Sequence, residues 1–581
     1  MEQTQQRAQW GSRMGFILAA AGSAVGLGNI WRFPYTTGEN GGGLFILVYL
    51  VCIALIGLPI LMSEIMIGRA AQKQPVGAFR TLQGRSTAWS GIGWLGVLAG
   101  FIILSYYVVV AGWAMDYTLK SIVNFTGPIA NEARVDGMKY RATTDISQMR
   151  LALVEHEYNR RIGDRDKEII RQVRPSSWRA FMDFQAAASV ATDRDQAESA
   201  LLEDESLRKH VEDARRIVPE LEAARTELRR QINEQVEQLD QAEVRHQAED
   251  LIRRTTIRQR VADAFDAVAG DGWITSLWTG LFMLLTILIV GGGISAGIER
   301  ACSIMMPALF ALLLILVGYG TFTPGFQEAA SFVFKPDVHE LRPSGVLGAM
   351  ITYGSYQRSK ENLVGQAVTI AAMDTGVAVL ACLMIFPIVF SFGQAPSAGP
   401  GLVFMSMPLA FAEIGKGGML LGAIFFGLLV FAALTSSISL LEVVASYFID
   451  EQGWSRKKAV WMLGGMIFLL SIPSAFAGDG ESFIAGWSKS YGQGFDFLST
   501  MDYLASNWML PAGGFFIAIY AGWVMPRHLR DAELQGLAGV FLLGWLLLVR
   551  FVAPLMVIII LMQTIGILDA DELLFGLLHG S

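Results

Sequence analysis

An apolar stretch near the start of the chain carries polar and helix-weakening residues at a depth where a membrane span should be most apolar. It reads AAAGSAVGLGNIWRFP (residues 19–34) and contains three glycines, a serine, an asparagine and an arginine. Backbone groups left unpaired in a bilayer are costly unless they line a site that uses them. A broken helix offers such a site, because its freed carbonyls can hold a cation and the N-terminus of its second half can hold an anion. The stretch therefore predicts a break whose carbonyls suit sodium and whose N–H groups, around Gly26 to Gly28, suit a carboxylate.

Other polar residues inside apolar runs point to the same kind of chemistry. Asp374 lies within an apolar run, where a carboxylate is expensive and is by default functional. The hydroxyls of LTSS (434–437) could bind an ion, or they could simply bond to carbonyls of their own helix. Gly22 and Gly26 also form a GxxxG pair, which alone would only let two membrane helices approach closely. These residues by themselves leave both alternatives open.

The elements that must position these residues are membrane-spanning helices. Hydrophobic residues make up 53% of the 581 residues, and the mean hydropathy is +0.43. Several apolar runs reach about 20 residues, the length that crosses a ~30 Å hydrocarbon core. Eleven crossings are predicted, the shortest of them at 343–356. The other ten spans are predicted at about 14–36, 42–67, 89–124, 274–293, 302–320, 363–393, 418–449, 459–477, 503–525 and 537–566.

The orientation of the spans follows from lysines and arginines in short loops, which stay on the cytoplasmic side. The basic loops fall on one side only if 343–356 crosses the membrane. The N-terminus is then cytoplasmic, and the acidic tail 567–581 is outside. The loop cations are Arg69, Lys73, Arg80, Arg85, Arg358, Lys360, Arg456, Lys457, Lys458, Arg527 and Arg530.

A charged insert interrupts the membrane domain. Residues 131–270 hold 52 of the 97 Asp, Glu, Lys and Arg residues of the chain. Apolar residues from Leu221 to Leu239 recur at spacings of three and four, which predicts long amphipathic helices, and a helical hairpin, outside the membrane. Either the insert is a solvated helical accessory, or it binds a partner or a second copy of the chain. The predicted division is core spans 1–3 (1–130), extracytoplasmic insert (131–270), core spans 4–11 (271–566) and tail.

The chain outside the insert resembles the neurotransmitter:sodium symporter family, which has the LeuT-type fold. The resemblance rests on several stretches, which together are highly specific. They are GSAVGLGNIWRFPY (22–35), NGGGLFILVYL (40–50), SYYVVVAGW (105–113), GIERACSIMMPALF (297–310), GAMITYGSY (348–356), AAMDTG (371–376), FAALTSSISLLEVV (431–444) and MDYL (501–504). The resemblance implies an all-α fold of two five-helix inverted repeats, with a broken first helix in each.

Two sodium sites are implied by this resemblance. The first would be a cage of five hard oxygens without a fixed charge, which suits a weakly held monovalent ion. Its ligands would be the carbonyls of Gly22, Val25 and Ala432 with the hydroxyls of Thr435 and Ser436. The second would use the Ala24 carbonyl, Asn29 and Asp374.

The resemblance also implies a substrate that carries its own carboxylate. Relatives that transport amines have an aspartate where this chain has Gly26, so an amino acid is expected here. The region of Ala24, Gly26 and Gly28, with the Tyr107 hydroxyl and the sodium ion, would hold the carboxylate. Ile103 and Leu440 would line the side-chain pocket, which favours an apolar side chain over a charged one.

Two gates are implied as well. Arg32 with Asp502 would close the outer side. Arg7 with Asp450, helped by Trp10 and Tyr356, would close the cytoplasmic side. The alternative for each charge is a side chain that snorkels to the membrane interface.

The sixth span departs from the family pattern. LRPSGVL runs directly into GAMITYGSY, whereas in the family about 14 residues separate the two stretches. A helix needs those residues to cross a ~30 Å hydrocarbon core. The remaining segment, 343–356, covers only ~21 Å at 1.5 Å per residue. The missing segment would supply about half of the substrate contacts, so the sixth span is predicted to be truncated.

These observations predict a sodium-coupled amino-acid symporter of the plasma (bacterial inner) membrane, working by alternating access. The predicted partners are lipid, a small amino acid and Na⁺, with no nucleic acid. One alternative is a non-transporting sensor or scaffold that presents the insert to a partner. Another is a cation-leaking pore through the incomplete bundle. An enzyme is disfavoured, because no nucleophile, general base or phosphate-binding loop stands in a plausible arrangement.

Overall fold

The structure is a computed structural model in which the fold is helical. It describes residues 10–84, 87–170, 172–190, 205–335, 362–392, 402–480, 482–484, 487, 496–534, 539–565 and 567. The predicted gate residues Arg7 and Tyr356, the segment 343–356 and the tail from 568 lie outside these described residues. The described residues form two compact units, one from 10–128 and 258–565 and one from 129–257.

The membrane unit begins with a helix that is broken where the sequence predicts a break. Helix α1 (Arg13–Ala24) and helix α2 (Gly28–Glu39) are bent by 52° relative to each other. Nine further described helices are long and apolar enough to span a membrane, so the described chain has ten candidate spans if the bent pair counts as one. The predicted all-α membrane fold is thereby confirmed, while the predicted eleventh span, 343–356, lies outside the described residues.

The remaining helices follow in chain order. Before the insert come α3 (Gly43–Ala71), α4 (Pro75–Gln83) and α5 (Ser90–Ile122). The insert holds α6 (Thr126–Thr143), α7 (Ile146–Ile170), α8 (Pro175–Val190), α9 (Glu205–Arg215), α10 (Val218–Glu237) and α11 (Gln241–Ala269). After it come α12 (Gly272–Gly291), α13 (Ile294–Thr321), α14 (Phe326–Phe334), α15 (Leu363–Ser391), α16 (Val403–Ile414), α17 (Gly418–Asp450), α18 (Arg456–Ala475), α19 (Phe497–Val524), α20 (Arg527–Glu533) and α21 (Gly539–Thr564).

Polar caps fix where several of these helices begin. Each cap side chain accepts a hydrogen bond from a backbone N–H that the first helical turn leaves without a partner. The Ser12 hydroxyl accepts from the Gly15 N–H at 2.9 Å and starts α1. Asp271, Asn362, Ser455 and Asp496 cap α12, α15, α18 and α19 in the same way.

The two 33-residue helices α5 and α17 form the most extensive described helix pair. Membrane helices gain little from apolar burial against each other, so close approach at small residues matters more. Gly112 of α5 is such a residue, since a Cβ there would lie 2.9 Å from the Thr279 nitrogen of α12. Helix α17 lies in the interior of the membrane unit, because its hydroxyls from Thr435 to Ser446 are buried.

The insert has apolar cores of its own. Leu221 lies in a cluster with residues of α7, α8 and α9, and Ile232 lies in a second cluster with residues of α7 and α11. Helix α10 is also tied to α7 by ion pairs of Arg225 with Asp166 and of Arg229 with Glu155. The three- and four-residue spacing that predicted amphipathic helices therefore places apolar side chains in these two cores. The compact unit ends at residue 257, whereas the sequence pattern placed the end of the insert at 270.

A chain without the insert should still fold. Replacing residues 131–257 by a short Gly/Ser linker should leave a membrane-inserted, monodisperse protein, because the insert supplies its own cores and α5 and α12 can be joined by a short loop. The measurement is size-exclusion chromatography and thermal unfolding in detergent. Aggregation of the trimmed chain, with intact behaviour of the full chain in the same detergent, would show that the insert is structural.

Candidate functional site

The break between α1 and α2 is closed partly by its own side chains. Val25 leaves the helix with φ −74° and ψ 104°, and its N–H still donates to the Ala21 carbonyl at 2.7 Å. The Gly26 N–H donates to Oδ1 of Asn29 at 3.0 Å, and the Leu27 N–H donates to the Tyr107 hydroxyl at 3.2 Å. Two of the N–H groups that suit a carboxylate are thus already engaged.

Carbonyl oxygens of the break converge on one hydroxyl of α17. Oγ of Ser436 lies 3.4 Å from the Gly22 carbonyl, 3.4 Å from the Ser23 carbonyl and 3.2 Å from the Val25 carbonyl. Ser436 is 7% exposed, so the cluster is screened from bulk solvent. A hydroxyl can donate to only one carbonyl at a time, which leaves an excess of acceptor oxygens. Such a set of uncharged oxygens suits a monovalent cation.

The Thr435 hydroxyl has different hydrogen-bond partners from the Ser436 hydroxyl. Its hydroxyl donates within its own helix, to the carbonyls of Ala432 at 3.0 Å and Phe431 at 3.2 Å. In this structure the Thr435 hydroxyl therefore follows the alternative in which these hydroxyls bond to carbonyls of their own helix. Thr435 still packs on the break, because a Cβ at Gly22 would lie 3.0 Å from the Thr435 Cβ. The structure thus brings all five predicted ligands into one region, with Ser436 making the direct contacts. Sequence reasoning missed the Ser23 carbonyl.

The second predicted ion site contains a direct side-chain contact. Nδ2 of Asn29 donates to Oδ1 of Asp374 at 2.8 Å and to the Asp374 carbonyl at 3.1 Å. Asn29 therefore links the break to α15 with its NH₂ group while its oxygen accepts from Gly26. Tyr49 also lies beside this carboxylate, and no sequence pattern pointed to this contact. Ala24, the third predicted ligand, is half-buried at the end of α1.

The residues predicted to hold substrate line the same region. A Cβ at Gly26 would lie 2.7 Å from Oγ of Ser436 and 3.1 Å from the Tyr107 hydroxyl, so no larger side chain fits there without displacement. A Cβ at Gly28, in contrast, would meet no atom within 4 Å. Ile103 lies one turn before Tyr107 on α5, and Leu440 lies one turn after Ser436 on α17; all are half-buried or buried.

The outer pair of charges is in contact. Nη1 of Arg32 lies 3.4 Å from Oδ1 of Asp502 and 3.3 Å from Oγ of Ser506. The side chains of Arg32 and Asp502 are 45% and 33% exposed, so water screens their attraction, and such a pair is easily opened.

The cytoplasmic set is only partly described. Trp10 is 6% exposed and packs edge-on against Phe16 with ring centroids 6.0 Å apart. Oδ2 of Asp450 accepts from the Gln74 N–H at 3.4 Å. Because Arg7 and Tyr356 lie outside the described residues, their predicted contacts with Asp450 and Trp10 stay predictions.

A buried glutamate that sequence reasoning missed anchors the start of α1. Oε2 of Glu299 accepts from the Gly11 N–H at 2.8 Å, and Oε1 accepts from the Ser12 hydroxyl at 2.9 Å. A carboxylate at a helix N-terminus is stabilised by the unpaired N–H groups there. The available signal was a glutamate inside the apolar run that begins α13.

A second missed carboxylate joins three helices. Arg456 donates to Glu442 through two nitrogens, at 2.6 Å and 2.9 Å, and to the Val290 carbonyl at 3.2 Å. The Glu442 side chain is 1% exposed, so this pair ties α17, α18 and the end of α12 together away from water. Bidentate geometry of this kind is the strong form of the interaction.

Replacing Glu442 by glutamine should destabilise the protein by about 3 kcal/mol, because the Arg456 charge loses its buried partner. Asp502→Asn is the matched control, and it should cost at most about 1 kcal/mol because that pair is exposed. Denaturant unfolding in one detergent measures both. Equal losses in the two variants would contradict the difference in burial.

The chain is similar to sodium-dependent transporters in sequence and to a solved amino-acid complex in structure. The sodium:neurotransmitter symporter family model matches residues 7–134 and 258–573, so the match leaves out most of the insert. An uncharacterized sodium-dependent transporter of Bacillus subtilis, YhdH, is 28% identical over 97% of this chain and 99% of its own length. One from Haemophilus influenzae is 26% identical over 96% and 98%. The crystal structure of MhsT in complex with L-phenylalanine aligns with a TM-score of 0.66 and 34% identity, covering 95% of this chain and 99% of that one.

Proposed function

This chain belongs to the sodium:neurotransmitter symporter family, and we propose on that basis that it couples the uptake of an apolar amino acid to sodium. Its full-length relatives carry the description sodium-dependent transporter. We propose that it moves a solute, as expected for a member of a transporter family, and that it performs no covalent chemistry. The observation that carries the proposal is the cluster of three break carbonyls around the Ser436 hydroxyl.

One sodium ion would bind at this cluster. The Gly22, Val25 and Ala432 carbonyls, with the Thr435 and Ser436 hydroxyls, would be its ligands. The Thr435 hydroxyl would rotate from its own helix towards the ion. Rotation about one side-chain bond is a small change between staggered wells.

A second sodium ion would bind beside Asn29 and Asp374 with the Ala24 carbonyl. Asp374 would supply a negative charge in direct contact with the ion. The 2.8 Å hydrogen bond from Asn29 already orients that carboxylate towards the break. A substrate carboxylate nearby would add a further oxygen ligand, which would couple substrate binding to this ion.

The substrate carboxylate would meet the Tyr107 hydroxyl. That hydroxyl accepts from the Leu27 N–H, so its own proton is available for donation to an anion. Gly26 presents no charge to a substrate amine, and the close approach of Ser436 and Tyr107 leaves no room for an aspartate there. An α-amino acid whose side chain lies against Ile103 and Leu440 fits this arrangement.

Alternating access would use the charge pairs as reversible closures. The exposed Arg32–Asp502 pair would close over bound substrate from outside. On the other side, Asp450 with Arg7 would close the cytoplasmic path, helped by Trp10 and Tyr356. The protein would lie in the plasma membrane with its N-terminus in the cytoplasm, following the loop cations.

Equilibrium binding tests the substrate assignment. Radiolabelled leucine should bind to the purified protein in sodium but not in potassium. Phenylalanine should compete for the site, whereas lysine and glutamate should not. Sodium-independent binding, or competition by the charged amino acids, would overturn the assignment.

The short sixth span favours a second candidate, a scaffold that keeps the sodium site and no longer transports. The segment 343–356 covers only ~21 Å as a helix, and the segment missing from it would supply about half of the substrate contacts. In that case the unaltered chain should bind sodium but not leucine.

An insertion between Leu347 and Gly348 distinguishes the two candidates. A family-like segment of about 14 residues there would lengthen the span enough to cross the ~30 Å hydrocarbon core. If the scaffold candidate is correct, the insertion should create sodium-dependent leucine binding that the unaltered chain lacks. Strong binding by the unaltered chain would reject the scaffold, and it would mean that other residues complete the site. An inserted segment of the same length made of glycine and serine is the control.

A further inference from the structure

An apolar groove opens on the membrane unit, and none of the proposed ion or substrate residues lines it. It has a volume of about 510 Å³, and its walls are contributed by α5, α17 and α18. The lining includes Trp94, Leu98, Phe101, Val444, Phe448 and Met466. Leu98 is 51% exposed and Met466 is 52% exposed, so the groove is open on its side rather than sealed within the protein. Since these helices span the membrane, the groove faces lipid.

The groove has the depth of one leaflet. It begins where α5 starts and α17 ends, since Gly91 and Phe448 lie in terminal turns of their helices. From Gly91 to Phe101, the first and last lining residues of α5, a helix rises about 15 Å, which is half of a ~30 Å hydrocarbon core. An acyl chain that enters from the adjacent interface therefore matches the length of the groove.

Aromatic side chains connect the mouth of the groove to a cation. Phe448 of the groove wall packs on Trp454 with ring centroids 4.9 Å apart. Nζ of Lys458 lies 4.6 Å from the centroid of the Trp454 ring. Trp94 packs on Tyr447 at 4.4 Å on the opposite wall. Tryptophans at this depth mark the headgroup level of the membrane.

The charge at this mouth is positive. Lys457 and Lys458 are exposed, and neither forms an ion pair with a carboxylate of the described residues. The neighbouring acids are engaged elsewhere: Glu442 with Arg456, Glu451 with Arg80, and Asp450 with the Gln74 N–H. Basic clusters on the cytoplasmic side of spans attract anionic lipid headgroups.

We propose that this groove binds one acyl chain of an anionic phospholipid, whose headgroup contacts Lys457 and Lys458. The lipid belongs to the leaflet on the cytoplasmic side, as the loop cations orient the chain. By filling the groove it supports the packing of α18 against α5 and α17. The proposal does not depend on the substrate or the sodium sites, because none of their residues lines the groove.

Native mass spectrometry of the purified full chain tests this, with phosphatidylglycerol and phosphatidylcholine of identical acyl chains. Phosphatidylglycerol should bind more tightly. The Lys457→Gln/Lys458→Gln variant should weaken its binding about 25-fold, since each lysine near the surface contributes about a factor of five. That variant should leave phosphatidylcholine binding unchanged. Lys335→Gln is the control for charge.

Leu98→Trp should fill the groove and weaken both lipids, whereas Ile304→Trp, at a lipid-exposed position outside the groove, should weaken neither. If Leu98→Trp does not fold, Met466→Trp makes the same test from α18. The proposal would be overturned if the two lipids bind equally tightly and the Lys457→Gln/Lys458→Gln variant does not change their binding. Groove-filling variants without effect would also overturn it, as would disulfide-linked dimers formed through Leu98→Cys, which would assign the groove to a second copy of the chain.

Discussion

Replacing both Thr435 and Ser436 by alanine should remove the part of the protein's stabilisation by sodium, relative to potassium, that comes from the proposed cage. In the unaltered protein, an ion that binds only the folded state stabilises it by about 2.7 kcal/mol at 100 times its dissociation constant. The double variant removes the hydroxyl that lies within 3.4 Å of three break carbonyls, and it removes the second hydroxyl of the proposed cage. The remaining carbonyls then form an incomplete shell, and the sodium-specific increase in melting temperature should fall to what the proposed site at Asn29 and Asp374 contributes.

Ser446→Ala is the matched control for this variant. Ser446 lies on the same helix, is 1% exposed, and donates to the Val443 carbonyl at 2.9 Å. Its replacement removes a buried hydroxyl from α17 without touching the break. The control should keep the full difference between sodium and potassium. Equal stabilisation of the unaltered protein by both ions, or a difference that the double variant leaves undiminished, would refute the cage.

Gly26→Ala should reduce sodium-dependent amino-acid binding about 10- to 100-fold. The added Cβ would lie 2.7 Å from Oγ of Ser436 and 3.1 Å from the Tyr107 hydroxyl, so it must displace groups proposed to hold the ion and the substrate. Overpacking of this kind costs about 1–3 kcal/mol, and 1.4 kcal/mol corresponds to a factor of ten. The measurement is the leucine dissociation constant in sodium.

The control for this variant is Gly427→Ala, a glycine of α17 at which a Cβ would meet no atom within 4 Å. Alanine there should leave binding unchanged and stabilise the helix slightly, since glycine is a poor helix former. Wild-type affinity in Gly26→Ala would show that the space between Ser436 and Tyr107 is not part of the site.

The helical fold was predictable from apolar runs, whereas helix ends depended on caps. The span predicted at 89–124 matches α5 (Ser90–Ile122) closely. The span predicted from 503 begins at Phe497 instead, because the Asp496 carboxylate accepts from the Ser499 N–H and starts the helix before the apolar run. Hydropathy reports where a helix meets lipid, and capping reports where its hydrogen bonds begin.

The residues predicted for the site lie together in the structure, but the hydrogen bonds among them were not predictable from the sequence. Successive residues of a helix point about 100° apart, so Thr435 and Ser436 cannot face the break equally, and only packing decides which one does. Asn29 was expected as an ion ligand, but its amide also closes the break through Gly26 and contacts Asp374.

Two buried carboxylates, Glu299 and Glu442, were missed for a related reason. Each can be buried because of a partner on another part of the chain. Glu299 accepts from the Gly11 N–H at the start of α1, and Glu442 accepts from Arg456 of α18. A sequence pattern shows that a carboxylate is costly at such a depth. It does not show which donor compensates for that cost.

The central claim, sodium-driven transport of an apolar amino acid, is tested most directly by uptake into proteoliposomes. Purified protein should accumulate radiolabelled leucine above its external concentration when sodium is high outside and low inside, and should fail to do so with an equal potassium gradient. The Thr435→Ala/Ser436→Ala variant, reconstituted at the same density, should show no accumulation. A folded protein that sodium stabilises, but that accumulates no leucine or other apolar amino acid under the sodium gradient, would contradict transport and favour the scaffold.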